Sequence, residues 1–324
     1  MEAALNGFGF CPRCLRPLAE PNTCRACGLR FTRRGNVIDV LGDDPREDRA
    51  GEVEAFYTRN PFPGYAPGDD GPTLLDRSRG SPFLASLDAA IAPSASVLDC
   101  GCGTAQLAAF LALAAPRRRI VALDGCRESL ACADGFRARA RIPNLQLVRA
   151  DLFDLPLSEG RFDVVICRGV VHHTPDPEGA IDGVARCVAP EGVLLLGFYE
   201  SLGRLAHRLR RSLASVRGHP IAWLDPVLRR RDLDGEKKRI WIADQYRHPL
   251  EHILPLPRVL AGLRERGFRW VRSVPPAPAA GLFDATPEPT PGRLTRMRLG
   301  WALGGWRDPD AGLVFLVVRR ENQR

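Results

Sequence analysis

The sequence predicts an α/β fold: a mostly parallel sheet of seven strands with helices on both faces, preceded by a small cysteine-bearing module. Three observations predict it. Short apolar runs alternate with helical stretches between residues 95 and 198, a glycine turn closes the first of those runs, and two cysteine pairs stand near the start.

The apolar runs come first. Val97–Cys100, Ile120–Asp124, Leu145–Val148, Phe162–Cys167 and Val193–Phe198 are short and bounded by turn residues, as buried strands are. Helical stretches separate them at Ala105–Ala115, Glu128–Arg139 and Pro177–Val188. Strands alternating with helices imply parallel pairing covered on both faces. Downstream, Val259–Arg266 reads as a helix feeding a strand at Phe268–Val274. Gly312–Val318 reads as a last strand, antiparallel at or near the sheet edge. The organisation is therefore a cysteine module at residues 8–42, a connector and lid segment at 43–90 ending in a helix at Ser81–Ile91, and a main domain at 91–324. That domain carries a basic helical insert at 199–255 and a proline-rich segment before the last strand.

Composition narrows the function classes. At 324 residues and 45% hydrophobic content the chain can build a sizeable core. No apolar run reaches the length of a membrane span, and no charged stretch followed by an apolar one marks a secretory signal, so a cytoplasmic location is expected. The net charge is +8, yet lysines occur only at Lys237 and Lys238. Arginine abundance then reflects overall composition more than nucleic-acid binding. Residues 199–249 hold 12 basic and 6 acidic side chains, which reads as a solvated helical insert or as a surface for an anionic partner. Of ten cysteines, Cys100, Cys102, Cys126, Cys132, Cys167 and Cys187 are scattered through the main domain and read mostly as small apolar core residues.

The glycine turn carries the chemistry. Val97-Leu98-Asp99-Cys100-Gly101-Cys102-Gly103-Thr104-Ala105 is a strand, a tight turn and a helix start. Glycines there let backbone approach a ligand at the carboxyl end of a strand. The stretch resembles the D-x-G-x-G-x-G loop of class I methyltransferases, with Ala105 in place of the third glycine. The acid before the turn separates it from the G-x-G-x-x-G of dinucleotide enzymes. Asp124 closes the second strand, followed by Gly125, at a position where a carboxylate accepts two ribose hydroxyls. Asp151 and Leu152 follow the third strand, where the resemblance implies contact with the adenine edge. Arg168 ends the fourth strand, where it is expected to line the cofactor or an acidic substrate, with a plain salt bridge as the alternative. The run from Asp154-Leu155-Pro156-Leu157 to Val171-His172-His173 and Asp176-Pro177 is similar to ubiquinone/menaquinone-type methyltransferases. The resemblance implies a Rossmann-like fold and S-adenosylmethionine as cofactor, bound at Asp99, Gly101, Gly103, Asp124, Gly125, Asp151, Leu152 and Arg168.

Methyl transfer needs an aligned nucleophile, water exclusion and, for an acidic acceptor, a base. His172 and His173 stand on the loop expected to face the methyl group, with a structural role as the alternative. Two aromatic segments, Ala55–Tyr65 and Trp241–Pro249, are similar to segments of a group of bacterial class I methyltransferases and suit a lid or pocket wall. Tyr57, Tyr65, Tyr246 and His248 are the candidate substrate residues, with interdomain packing as the alternative.

Cys11-Pro12-Arg13-Cys14 and Cys24-Arg25-Ala26-Cys27 form two C-x2-C knuckles nine residues apart. Two knuckles supply four thiolates for a closed, structural zinc site. The module resembles the zinc ribbon of bacterial 23S rRNA guanine methyltransferases and the small zinc-ribbon partner that activates several methyltransferases. Three functions compete: methylation of a small-molecule acceptor, methylation of an RNA base, and a noncatalytic partner module. The absence of an N-P-P-Y motif and of an aromatic stacking platform argues against RNA. The intact acidic positions argue against a noncatalytic role.

Overall fold

The computed structural model describes residues 9–42, 51, 55–58, 62–66, 68–231, 233, 235–276, 278, 281–308 and 312–322. Residues 43–50 of the connector, and Arg59, Asn60 and Pro61 of its aromatic segment, lie outside the described residues. The strands are β1 Thr32–Arg34, β2 Val37–Asp39, β3 Ser96–Cys100, β4 Arg119–Asp124, β5 Leu145–Arg149, β6 Phe162–Arg168, β7 Val188–Tyr199, β8 Phe268–Val274 and β9 Leu313–Arg320. The helices are α1 Gly71–Arg79, α2 Pro82–Ala90, α3 Gln106–Ala114, α4 Arg127–Arg139, α5 Pro177–Arg186, α6 Leu205–Arg217, α7 Gly235–Tyr246, α8 Leu256–Glu265 and α9 Pro291–Gly304. No helix among the described residues is long and apolar enough to cross a membrane.

One sheet takes all nine strands, in the order β1-β2-β5-β4-β3-β6-β7-β9-β8. The five strands from β5 to β7 run parallel. β9 pairs antiparallel with β7 and with the edge strand β8. Strand order reverses between β3 and β6, which opens a crevice at their carboxyl ends.

The expected seven strands are present, and two more precede them. Residues 32–39 fold into a hairpin whose second strand pairs parallel with β5, covering what would otherwise be an open edge. Arg33, Arg34 and Asn36 hide this hairpin from a hydrophobicity reading. The cysteine module is thus continuous with the main sheet.

Alternation sorts the core into two faces. Val97, Ile120, Ala122, Leu147 and Ile166 pack beneath α1 to α4, with Phe110 and Phe136 fully buried there. Leu98, Val121, Leu123, Val148 and Val165 face the other way, toward α5 and α8. Residues 150–161 connect β5 to β6 without a helix, leaving the second face of β4 and β5 short of cover. The cysteine module fills that place with Phe10, Leu15, Leu18, Leu29 and Phe31. Arg13 Nε donates to the Pro156 carbonyl at 3.2 Å, and Arg161 donates to the Cys14 carbonyl at 2.9 Å. A parallel sheet requires cover on both faces, and here a ribbon replaces a crossover helix.

Two helices fall where the sequence suggested only polar or proline-rich chain. α1 starts at Asp70, whose side chain accepts from the Thr73 amide at 2.8 Å. α9 starts at Thr290 with Pro291 in its first turn, where a missing N–H is no loss.

Ala105 sits at the start of α3 with φ 57°, in the left-handed region, and is fully buried. Space is not the difficulty that the missing third glycine creates. The difficulty is backbone conformation, which for an L-residue costs about 1 kcal/mol. Ala105→Gly should therefore stabilise the protein by about 0.5 kcal/mol after the added freedom of the unfolded chain is subtracted. Urea unfolding checks this; a loss of stability would contradict the assigned strain.

Candidate active site

The site begins where β3 and β4 end side by side. The amides of Gly101 and Cys102 both donate to the Leu123 carbonyl, at 2.7 and 2.9 Å. Gly103 N–H donates to Asp124 Oδ2 at 2.7 Å, and Cys126 N–H donates to Asp124 Oδ1 at 2.8 Å. The carboxylate is thereby fixed across the turn. Gly101 and Gly103 have φ of 67° and 54°. A Cβ on Gly101 would run into the Val170 side chain, and one on Gly103 into the Phe62 carbonyl. After β5, Asp151 Oδ1 accepts from the Phe153 amide at 2.9 Å.

These turns border a cavity of about 660 Å³. All eight residues expected to bind cofactor line it: Asp99, Gly101, Gly103, Asp124, Gly125, Asp151, Leu152 and Arg168. Asp99 is buried, which raises its pKa to about 7; the Asp124 charge adds to the rise and Arg168 opposes it.

The aromatic segment before the domain closes over the glycine turn. Thr104 Oγ1 donates to the Pro63 carbonyl, and Gln106 Nε2 donates to the Gly64 carbonyl at 2.8 Å. Tyr65 was a substrate candidate, but it lies outside the cavity wall. Its ring stacks on Phe136 at 4.1 Å, and its hydroxyl donates to the Thr104 carbonyl at 3.0 Å. Tyr57 does line the cavity.

The two loop histidines separate. His172 is fully buried outside the cavity wall, against the Tyr199 ring at 3.8 Å, and neither ring nitrogen has a hydrogen-bond partner among the described residues. His173 lines the cavity. Its Nδ1 pairs with the Leu250 carbonyl at 2.7 Å, so Nδ1 carries the proton and Nε2 is the basic nitrogen. Burial, with the nearby positive charges of Arg204 and Arg211, lowers its pKa to about 4 despite the Leu250 bond. His248 stacks on the His173 ring at 3.7 Å and supports it from behind the wall. Tyr246 is also outside the wall: its hydroxyl donates at 2.7 Å to Asp225, which is fully buried and organises the insert.

The insert contributes wall residues that the motifs did not single out. Tyr199, Arg204, Asp244 and Gln245 line the cavity. Arg204 lies over the Tyr199 ring at 3.6 Å and bridges to Glu251 at 3.1 Å. Arg204 Nε and Gln245 Oε1 are buried without a hydrogen-bond partner among the described residues. Tyr199 ends β7, so the rule that ligands sit at carboxyl ends of parallel strands was the available signal. Asp244 and Gln245 fell inside the flagged Trp241–Pro249 cluster but were not chosen from it.

Apart from the cavity, the sulfurs of Cys11, Cys14, Cys24 and Cys27 lie within 4.8 Å of one another. Cys11 and Cys27 are 3.6 Å apart, as are Cys14 and Cys24. A zinc tetrahedron with Zn–S of about 2.3 Å has S···S edges of about 3.8 Å, so the donor set and spacing fit that ion. The other six cysteines are free; Cys132 is exposed, and the remaining five are buried.

The sheet order, the carboxyl-end crevice and the acidic positions resemble those of class I, S-adenosylmethionine-dependent methyltransferase domains. Residues 98–196 match the family model described as a methyltransferase domain. Among curated proteins, an uncharacterized protein of Synechococcus sp. is 29% identical over 51% of this chain and 41% of its own. The trans-aconitate 2-methyltransferase of Acidovorax sp. is 28% identical over 40% of this chain and 47% of its own. The ubiquinone biosynthesis O-methyltransferase of Albidiferax ferrireducens is 32% identical over 33% of this chain and 41% of its own. The chain thus spans less than half the length of these relatives. Among solved structures, PKMT2 from Rickettsia typhi in complex with AdoHcy superposes with a TM-score of 0.51 at 13% identity, covering 75% of this chain and 53% of that one, a likeness of fold.

The buried histidines set the pH dependence of stability. His173, His248 and His207 have pKa values lowered to about 4, 3 and 2, first by burial. Above pH 6.5 they are neutral in both states. Below it the unfolded chain binds protons that the fold refuses, so stability falls by about 1.4 kcal/mol per pH unit for each group. Asp99 acts in the opposite direction between its ordinary 3.8 and about 7, but it is one group against three. Thermal unfolding should show the midpoint dropping as pH falls from 6.5 toward 4, less steeply in His207→Gln. A midpoint that rises on acidification would contradict the buried neutral histidines.

Proposed function

We propose that this chain binds S-adenosylmethionine in the cavity and transfers its methyl group to a small-molecule acceptor. The observation that carries this reading is convergence. Eight residues from four successive strand ends meet in one cavity that also holds His173 and Arg204. Asp124 would hold the ribose hydroxyls, and Asp151 with the Leu152 amide the adenine edge. The glycine turn, where side chains are sterically excluded, would take the amino-acid portion. When bound, the cofactor supplies a methyl group on a sulfonium, already activated for displacement. The chain's residues then align the acceptor and exclude water.

His173, on the cavity wall, is read as the residue that accepts the acceptor's proton. Its imidazole is neutral near pH 7 and held in one orientation by Leu250, with His248 packed behind. Its low basicity suits taking the acceptor's proton as the bond to the methyl group forms, when that proton is most acidic, better than prior deprotonation. The unpartnered Arg204 Nε and Gln245 Oε1 suit an acceptor with polar groups, one of them anionic. Phe83, Leu313 and Phe315 on the same wall suit an apolar body. Relatives named for trans-aconitate and for ubiquinone biosynthesis carry names consistent with such an acceptor.

Asp124→Ala should weaken S-adenosylmethionine binding by about 100-fold in calorimetry, since two charge-assisted hydrogen bonds are lost. Unchanged affinity would reject the ribose assignment. His173→Ala should lower turnover about 100-fold or more, read as S-adenosylhomocysteine release, with cofactor affinity unchanged.

The four thiols are read as a structural zinc site that keeps the ribbon folded against the sheet. Purified protein should contain about one zinc per chain. Cys24→Ser should lower the melting temperature of the whole domain in one transition, because the second face of β4 and β5 would lose its cover. A metal-free protein with unchanged melting would reject the site.

A further inference from the structure

The insert helix α6 is built inside out. Its buried face carries Ala206, His207, Arg210 and Ala214, while Leu205, Leu209, Leu213 and Val216 point to solvent. Those four side chains fall at spacings of four, four and three residues, one continuous stripe along the helix. Val216 is 87% exposed. The buried polar side chains are anchored internally: His207 Nε2 bonds the Gln245 carbonyl at 3.0 Å, and Arg210 Nη1 donates to the Gly305 carbonyl at 2.9 Å. The orientation of α6 is therefore fixed by its polar side, and nothing among the described residues covers the apolar one.

A second stripe lies on α9 and its end. Leu299, Leu303 and Trp306 are exposed at spacings of four and three, with Leu303 at 74%. The two helices pack together: Arg210 of α6 reaches the Trp306 ring, and Gly305 is close to Ala206. Trp223, 73% exposed, projects from the chain that follows α6. Isolated exposed leucines are ordinary, but two aligned stripes on adjoining helices are not.

Charge identifies the occupant. Arg208, Arg217, Arg229, Arg231, Arg296 and Arg307 are exposed around these stripes. The acids Glu200 and Asp225 are fully buried, Asp244 faces the cavity, and Asp308, the exposed acid beside Arg307, stands on the cavity wall. The outer surface of the insert is thus cationic as well as apolar among the described residues. Leucine and tryptophan flanked by arginine suit the headgroup boundary of an anionic bilayer, where aliphatic side chains reach the acyl region and guanidinium groups pair with phosphate. RNA would use the arginines but would leave the aliphatic stripe without a partner. A second copy of the chain would place cationic rims against each other.

We propose that the outward faces of α6 and α9 dock this protein on an anionic lipid bilayer. Both stripes start at the cavity: Leu205 follows the wall residue Arg204, and Trp306 stands two residues before the wall residue Asp308. Docking would set the cavity beside the lipid phase, where an amphiphilic acceptor concentrates. The docking surface itself stands independently of which acceptor is methylated.

The test is sedimentation of the full-length protein with vesicles of phosphatidylcholine alone and with phosphatidylglycerol added. Binding should appear with the anionic vesicles and weaken as salt is raised. The double variant Leu209→Ser, Leu213→Ser and the single variant Leu303→Ser touch neither cavity nor core. With unchanged circular dichroism, the double variant should lose about tenfold or more of vesicle affinity. Arg208→Glu with Arg217→Glu should abolish the preference for anionic lipid. No sedimentation at low salt, or binding that the leucine variants leave intact, would overturn the proposal. So would a dimer in analytical ultracentrifugation that the leucine variants convert to monomer, since the stripe would then be a contact between copies. S-adenosylmethionine affinity measured in parallel keeps this result separate from the cofactor assignment: failure of one leaves the other standing.

Discussion

The hydrogen bond from Gly103 N–H to the Asp124 carboxylate is the interaction on which the site depends. It joins the turn after β3 to the end of β4, while Leu123 immediately before receives two further amides from the same turn. A glycine turn is conformationally permissive, and without that anchor it would sample many shapes. With it, the turn becomes a fixed floor, and the acid that fixes it also faces the cavity. The lid segment at residues 62–65 then closes on the floor through Thr104 and Gln106. Floor, wall and lid are one hydrogen-bonded unit at the carboxyl ends of parallel strands.

The ribbon takes part in the same unit. Its hairpin ends at Asp39, buried, and Arg149 of β5 reaches that carboxylate at 3.4 Å. Arg149 Nε also donates to the Gly125 carbonyl at 3.0 Å, one residue beyond Asp124. The module's apolar residues cover the sheet face while its hairpin supports the turn that follows β4. This explains physically why a cysteine module sits on a domain that elsewhere could cover its own sheet. On the opposite end of the sheet, the insert supplies the remaining wall. There the His173 and His248 rings pack against each other, both Nδ1 atoms meet the Leu250 carbonyl, and only His173 meets the cavity.

Much of this was legible in the sequence. Period and turn chemistry located the seven strands of the main domain to within a few residues, because each buried strand is a short apolar run between punctuating residues. Asp99, Asp124 and Asp151 were legible because each stands at or just beyond the end of such a run. The hairpin at residues 32–39 was not, since its strands are three residues long and partly charged, and its partner is remote in sequence. Tyr65, Tyr246, His172 and His248 were chosen for residue type near the motif. Whether such a side chain reaches the cavity or packs behind it depends on tertiary contacts, to Phe136, Asp225 and Leu250, that no local pattern encodes. Arg204 was missed for the complementary reason: it belongs to a basic stretch that reads as a solvated face, yet it is almost fully buried.

The central claim is that one cavity, floored by the Gly101–Gly103 turn and flanked by Asp124 and Asp151, is the cofactor site. A crystal structure of the protein with S-adenosylhomocysteine tests it most directly. The nucleoside should lie in that cavity with its ribose hydroxyls on Asp124 and its adenine beside Asp151 and Leu152. Density for the nucleoside elsewhere, or a cavity that stays free of it at saturating concentration, would contradict the account.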